Sequence, residues 1–254
     1  MTPAFDGRLV LVTGASKGIG AATAVVFGAL GAKVAVHCKS DVAGAARVVE
    51  SIGGDRAATF EADLGDWASA DQLVTTVEER FGPIDHLVLN HGIWKAALID
   101  RMQEGDYDEM FDANLRGVFA LSGAAARSMR RSGNAPRSSM VLIASTAGQR
   151  GEAGHAHYAA TKGAVISLTK SLASELAPDG IRVNCVAPGW VETSMTRGAL
   201  EDPNERPKIL ATIPLGRVGR PEEVAHVVAF VASDLASFMT GEIVNVNGGA
   251  VLCG

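Results

Sequence analysis

Short apolar runs recur along the chain, and most are followed by a longer stretch whose apolar residues return every three or four positions. The runs of strand length fall at 9–12, 34–36, 57–60, 86–89, 140–144, 182–187 and 243–246. Several are continuous rather than alternating, which is the pattern of a strand covered on both faces. Between them, the helical spacing predicts helices over 42–52, 70–81 and 156–177, a helix opening at Ala21, and a long one around 106–129. Six or seven strand–helix units in series predict an α/β fold: a single Rossmann-type, doubly wound parallel sheet with helices on both faces. No linker interrupts the alternation, so residues 1–254 read as a single domain. The one long stretch without clear period is 190–219, which carries Pro203, Pro207 and Pro214. Irregular stretches of that length are usually functional, and a mobile substrate lid is the reading adopted for it.

Composition narrows the function. Hydrophobic residues make up 47% of the 254 and aromatics only 5%, so aliphatic side chains must fill the core. The balance of 23 basic against 28 acidic residues, net −5, argues against nucleic acid as a partner, because nucleic-acid binders favour a basic patch. Cys38, Cys185 and Cys253 are too few and too scattered for a disulfide framework or a zinc site, and they fit a reduced, cytoplasmic setting. The first residues have no secretory signal pattern, and no apolar run reaches the ~18 residues of a membrane span, so no membrane partner is expected. No cluster has metal-ligand spacing, so no metal is expected either, and His155 and His157 read as loop histidines near the mouth of a site.

Candidate chemistry begins after the first strand, in T13-G-A-S-K-G-I-G20. Gly14 permits a tight turn, Gly18 lets a phosphate approach the backbone, and Gly20 lets the following helix pack against the sheet. The helix N-terminus then offers N–H groups and partial positive charge to a pyrophosphate. At the end of the second strand, an NAD site would place a carboxylate for the ribose, but Cys38 stands there. With Lys39 beside it and Lys17 in the glycine loop, the pattern favours a 2′-phosphate, hence NADP (NADPH) over NAD. Asp41 reads as the cap of the next helix.

The second candidate is Y158-A-A-T-K162, one of only two tyrosines with a lysine one helical turn away. Reducing a ketone needs a proton donor on the forming alkoxide, and a phenol near a cation has a lowered pKa suited to both directions. The small residues Ala159, Ala160 and Gly163 would give clearance for close approach. Ser145, ending a strand, can hold the carbonyl oxygen, and Asn114, on the 106–129 helix, would hold a water for proton relay.

In order and spacing, these motifs, with N90-H-G92, P188-G-W-V-E-T193 and N245-V-N-G-G249, resemble the short-chain dehydrogenase/reductase family over essentially the whole chain. Within it the sequence is most similar to the 3-oxoacyl-[acyl-carrier-protein] reductases of fatty acid biosynthesis. The resemblance implies seven strands, a homotetramer, and hydride transfer between a nicotinamide and a ketone/alcohol pair. It implies Ser145, Tyr158, Lys162 and Asn114 as catalytic residues. It implies cofactor contacts at Gly14, Ser16, Lys17, Gly18, Ile19, Gly20, Cys38, Lys39, Asp63, Leu64, Asn90, Gly92, Tyr158, Lys162, Pro188, Gly189, Val191 and Thr193. The expected activity is NADPH-dependent reduction of a 3-oxoacyl thioester or similar β-keto compound. The alternatives are an NAD(P)-dependent sugar, polyol or steroid alcohol dehydrogenase, and a non-catalytic nucleotide-binding protein on the same fold.

Two positions depart from the family pattern. His91 replaces a small residue, and Asp179 reverses a charge where reductases of this kind carry a basic residue for docking acyl carrier protein. Arg130, Arg131 and Arg137 are candidates for the remaining basic site. Substrate lining is expected from 93–95, 149–152, Trp190, Met195, Leu200 and Ile209.

Overall fold

The computed structural model describes residues 4–133 and 135–252, so Cys253 and Gly254 lie outside the described residues. Seven parallel strands form one sheet in the order β3-β2-β1-β4-β5-β6-β7. They are β1 Leu9–Val12, β2 Lys33–Cys38, β3 Ala57–Glu61, β4 His86–Leu89, β5 Ser139–Ile143, β6 Arg182–Pro188 and β7 Ile243–Val246. All seven predicted runs are strands, with ends shifted by no more than two residues. Alternate residues of β1 serve opposite cores: Leu9 and Leu11 join one, Val10 and Val12 the other. The continuous apolar runs are explained by this burial on both faces.

The first core is closed by α3 Trp67–Phe81, α5 Gly117–Ser132 and α7 Ala156–Leu176, and the second by α1 Gly18–Ala29, α2 Val42–Ile52 and α10 Pro221–Ala232. Phe5 anchors the N-terminal segment in the second core, edge-to-face on Phe27 at 4.8 Å and on His86 at 5.2 Å. Because β1 pairs with both β2 and β4, the strand order reverses there, and a crevice opens at the C-terminal ends of β1 and β4. In such sheets, ligands bind at this switch point.

Two expectations are corrected. The helix expected over 106–129 is broken into α4 Glu104–Phe111, a π-helical turn Asp112–Arg116, and α5. The wider turn carries Asn114, whose buried amide bonds backbone outside the helix, and such bulges accommodate a diverted side chain. Nor is the 190–219 stretch irregular. It holds α8 Arg197–Glu201 and α9 Glu205–Ala211 around a small core of Leu200, Ile209, Ile213 and Val218. Its ends are tied together, the Gly219 N–H donating to the Trp190 carbonyl at 2.8 Å and the Glu192 N–H to that of Gly219 at 2.9 Å. The remaining helix, α6 Thr146–Arg150, follows β5.

Candidate active site

The glycine turn is built by exclusion. Gly14 and Gly18 have φ of 60° and 58°, the left-handed region that favours glycine. A Cβ at Gly20 would lie 2.3 Å from the Gly14 carbonyl oxygen and 2.5 Å from Asn90 Nδ2, so only glycine lets α1 seat here. Asn90 Nδ2 donates to the carbonyls of Thr13 and Gly14, both at 3.1 Å. Thr13 Oγ1 in turn accepts the N–H groups of Asn90 at 2.9 Å and His91 at 3.2 Å, which ties β1 to β4. The first turn of α1 carries no acidic residue and no side-chain cap, which leaves its N–H groups for an anion.

Two histidines brace this turn. His37 Nδ1 accepts the Gly14 N–H at 3.2 Å, so its Nε2 carries the proton and donates to the Ala62 carbonyl at 3.1 Å. His91 Nδ1 lies 2.8 Å from Thr13 Oγ1. Burial pushes the imidazole pKa of His37 down to about 4 and that of His91 to about 3. Sequence reasoning assigned no role to His37, and its position beside Cys38 was the available signal.

From the turn, a cavity of about 760 Å³ runs past Gly14, Ser16, Lys17, Gly18, Ile19, Cys38, Lys39, Asp63, Leu64, Asn90, Gly92 and Thr193. It adjoins a second cavity of about 130 Å³, lined by Ile19, Asn90, Gly92, Ser145, Tyr158, Lys162, Pro188, Gly189, Val191 and Thr193. The two share Ile19, Asn90, Gly92, Ile93, Thr193 and Met195 and form one track. Of the predicted site residues, only Gly20 and Asn114 line neither cavity. A glycine cradle that any Cβ would fill, free N–H groups at a helix start, and an elongated cavity leading from it fit a dinucleotide.

At the far end of the large cavity, Lys39 Nζ pairs with Asp63 Oδ2 at 2.8 Å, both half exposed or more. That contact and the Gly65 N–H hold the Asp63 carboxyl below the usual range. Lys39 and Asp63, expected to bind different parts of a nucleotide, therefore bind each other first. An exposed pair of this kind is worth ~0–1 kcal/mol and yields easily to a ligand. Asp41 caps α2 as expected, accepting the Gly44 N–H at 3.0 Å.

In the small cavity, Ser145 caps α6, its Oγ accepting the Ala147 N–H at 3.1 Å, which leaves its O–H to donate elsewhere. Tyr158 is 9% exposed, and burial pushes its phenol up to about 12 against the opposing pull of a hydrogen bond with Ser145, while the Glu152 carboxylate pushes it further up. The lowering expected from Lys162 is not among the influences on this phenol, and desolvation sets its direction. Lys162 is itself buried and is pushed down to about 8 by desolvation. Its Nζ donates to the Ile143 carbonyl at 2.8 Å and sits 5.9 Å from the centre of the Tyr158 ring. Gly92 keeps a side chain away from this ammonium, since a Cβ there would lie 3.7 Å from Nζ. The close approach of α6 to α7 depends on Gly148, where a Cβ would meet the Lys162 backbone at 2.5 Å, and Ala160 is exposed and gives no clearance.

Asn114 is fully buried, and its amide is already committed. Oδ1 accepts the Ile93 N–H at 2.7 Å, and Nδ2 donates to the Ile93 carbonyl at 2.9 Å and to Thr161 Oγ1 at 3.3 Å. It fixes the backbone beside Lys162, with its N–H groups and one lone pair of Oδ1 taken up by the protein.

Of the expected substrate lining, Ile93, Trp94, Arg150, Glu152, Trp190 and Met195 face the small cavity. The others do not. Lys95 pairs with Glu109, Gln149 donates to Asn245 Oδ1 at 2.7 Å, and Leu200 and Ile209 are consumed by the core of the 190–219 segment. His155 stacks on Trp94, and His157 is buried on α7 rather than standing in a loop.

A family model described as Enoyl-(Acyl carrier protein) reductase matches residues 14–251. The chain is 42% identical over 247 residues to the 3-oxoacyl-[acyl-carrier-protein] reductase FabG of Salmonella typhimurium, covering 96% of this chain and 98% of that one. It is 42% identical over 254 residues to the 3-oxoacyl-[acyl-carrier-protein] reductase of Synechocystis, covering 98% and 99%. Among solved structures, a short-chain dehydrogenase/reductase from Brucella melitensis, titled a glucose/ribitol dehydrogenase, superposes with a TM-score of 0.93 at 39% identity over 100% of both chains.

Proposed function

The chain belongs to the short-chain dehydrogenase/reductase family of nicotinamide-dependent oxidoreductases, and from that premise we propose that it reduces the ketone of a 3-oxoacyl thioester or similar β-keto compound to a secondary alcohol, using NADPH. The observation that carries this reading is the shared cavity in which Ser145 and Tyr158 meet beside the buried Lys162. When bound, the nicotinamide supplies the hydride that goes to the carbonyl carbon. Gly14, Ser16, Gly18 and Ile19 would hold its pyrophosphate, Asp63 and Leu64 the adenine, and Asn90, Gly92, Pro188, Gly189, Val191 and Thr193 the nicotinamide half.

Ser145 and Tyr158 both direct hydroxyl groups at the carbonyl oxygen. A phenol at about 12 stays protonated at neutral pH, so Tyr158 delivers the proton as the alkoxide forms. Lys162, still largely cationic below about 8, stabilises the phenolate left behind, which regains its proton from solvent. Asn114 keeps Ile93 and the adjoining wall in register. The segment 190–219 acts as the lid, contributing Trp190, Val191, Thr193, Met195 and Thr196 to the cavity.

NADPH is preferred because Cys38 supplies no carboxylate for a ribose hydroxyl, while Lys17 and Lys39 line the cavity around it. Fluorescence titration with NADPH and NADH tests this, with Lys39→Ala expected to weaken NADPH more than NADH, and a clear NADH preference of the unaltered chain refuting it. The reductase reading is tested by cofactor oxidation with acetoacetyl thioesters and by Tyr158→Phe, which should abolish turnover and spare cofactor binding. Equal turnover in that variant would refute the role of Tyr158.

A carrier-bound substrate would meet cations that already have partners within the chain. Arg130 is paired with Asp179 at 2.7 Å and Arg131 with Glu78 at 3.2 Å, exposed pairs that an acidic partner would have to compete with at a cost of ~0–1 kcal/mol each. A tetramer would cover exposed apolar residues such as Phe119, Phe230 and Phe238, and light scattering measures it. Among the described residues, no helix is long and apolar enough to cross a membrane. A second reading, a sugar or polyol alcohol dehydrogenase, is favoured by the Glu152 carboxylate lining the small cavity and by the Brucella structure's title, and a panel of alcohols run in the oxidative direction distinguishes it.

A further inference from the structure

The cavity that holds Ser145 and Tyr158 measures about 130 Å³. It opens to solvent on one side and is lined by polar as well as apolar groups, Ser145, Arg150, Glu152 and Lys162 among them, so it is the room around the reacting carbonyl rather than a sealed chamber. Part of this space runs along Ile19, Asn90, Pro188 and Thr193, which are assigned above to the cofactor, so the substrate's share is smaller still.

Two tryptophans line it. The rings of Trp94 and Trp190 meet edge-to-face, with centroids 5.8 Å apart and planes at 86°. Trp94 is fixed from three sides. The His155 ring is stacked on it at 4.4 Å with the planes 6° apart, so one face is already covered. Its Nε1 donates to Glu152 Oε2 at 3.4 Å. The strap that carries it is clamped to the 151–155 loop, where the Ala97 N–H donates to the Gly154 carbonyl at 2.8 Å next to a bridge between Ala97 and His155. Trp94 also packs against the cluster of Met110, Ala147 and Tyr158, which seats the phenol itself. The wall and the proton donor are therefore parts of one packed unit, and moving Trp94 to admit a longer ligand would disturb all of these contacts together.

We propose that Trp94 is a specificity-determining residue that forms a fixed wall of the cavity beside Tyr158, so that the chain prefers compact ketones, with the carbonyl near the end of a short acyl group, over their long-chain homologues. This rests on the reductase function proposed above. A substrate whose chain continues past the ketone along this wall has to displace Trp94 from His155 and Glu152 or turn out of the cavity, a demand that an acetoacetyl group does not make.

The test compares kcat/KM for acetoacetyl and 3-oxododecanoyl thioesters of N-acetylcysteamine, with NADPH and with NADH, on the full chain. The ratio of the two is read in one sample, so it does not depend on the fraction of folded protein. The short substrate is expected to be favoured about 10- to 200-fold, the range that one misfitting methylene costs in a hydrophobic pocket. Trp94→Ala should shift the ratio at least ~10-fold toward the long substrate, and Trp94→Phe, which keeps an aromatic wall, should retain most of the original preference. Equal use of both substrates by the unaltered chain, or an unchanged ratio in Trp94→Ala, overturns the inference. Turnover of neither thioester overturns the function on which it rests, and the inference with it.

Discussion

Acidification from pH 7 to pH 5 should cost the folded chain about 5–6 kcal/mol through three histidines, His37 and His86 buried and His91 half-buried with its Nε2 out of water. Burial is the first cause in each case, pushing the imidazole pKa of His37 to about 4 and those of His86 and His91 to about 3, from 6.5. Arg8 and Arg182 push His86 down further, and Lys162 does the same to His91. The folded values lie below the unfolded one, so below pH 6.5 the unfolded chain takes up protons that the native chain refuses. Stability is therefore full above that pH and falls as pH drops toward the folded values. Each histidine contributes ~1.9 kcal/mol of loss between pH 7 and 5 when its folded pKa is near 3 or 4. Unfolded carboxylates titrate near 4, so this window isolates the imidazoles. His157, also lowered by burial, acts in the same direction. Against a typical total of 5–15 kcal/mol, such a loss brings the chain close to unfolding. Urea denaturation at pH 7, 6 and 5, followed by tryptophan fluorescence at one protein concentration, measures it. His91→Ala should reduce the pH-dependent loss by about a third, whatever its effect at pH 7. A loss below ~2 kcal/mol, or a His91→Ala variant with the same pH slope, refutes the reasoning.

With the phenol up at about 12 and the ammonium down at about 8, reductive turnover should hold steady at neutral pH and decline as Lys162 deprotonates above about 8, while oxidation of the alcohol rises into the alkaline range. Initial rates in both directions across pH test this, and a reductive rate that climbs above pH 8 contradicts it. Gly20→Ala places a Cβ 2.3 Å from the Gly14 carbonyl oxygen, so it should cost ~1–3 kcal/mol of stability and at least tenfold in cofactor affinity, read by melting and by fluorescence titration. Asn114→Ala strands the Ile93 N–H and carbonyl and should cost ~2–4 kcal/mol on denaturation, with kcat falling and cofactor Kd changing little. An Asn114→Ala chain as stable as the parent would show that water replaces the amide.

The sheet was legible because both-face burial writes itself as continuous apolar runs, and all seven reappear as strands. The break at Asp112–Arg116 was not, because a one-residue widening scarcely disturbs apolar spacing and its cause, Ile93, lies 21 residues away. Helices α8 and α9, of five and seven residues, are too short to display a period. The glycine loop and the Tyr158–Lys162 pair were legible as local motifs. Their electrostatics were not: one helical turn predicts that the ammonium lowers the phenol, whereas desolvation of both groups is a property of the whole fold and sets the direction of both shifts. The Lys39–Asp63 pair has the same origin. Sequence alone assigns each residue its own ligand contact, but the pairing of β2 with β3 sets Cys38 opposite Glu61 and brings the two neighbouring charges together.

His91 shows how a departure from a family pattern is absorbed. Its bulk fits because position 117 is glycine: a Cβ there would lie 2.9 Å from His91 Nε2 and 2.6 Å from the Leu64 Cβ and carbonyl oxygen. The ring then contacts Thr13 Oγ1, the hydroxyl that joins β1 to β4, while His37 takes the Gly14 N–H from the β2 side. The two imidazoles stand 6.5 Å apart beneath the glycine turn. His37 can accept from Gly14 only while its Nδ1 is unprotonated. The groups that make the fold acid-sensitive are therefore the ones that shape the cofactor loop, and because the native imidazoles refuse protons down to about 4 and 3, the loop should keep its cofactor at pH 5 for as long as the chain stays folded.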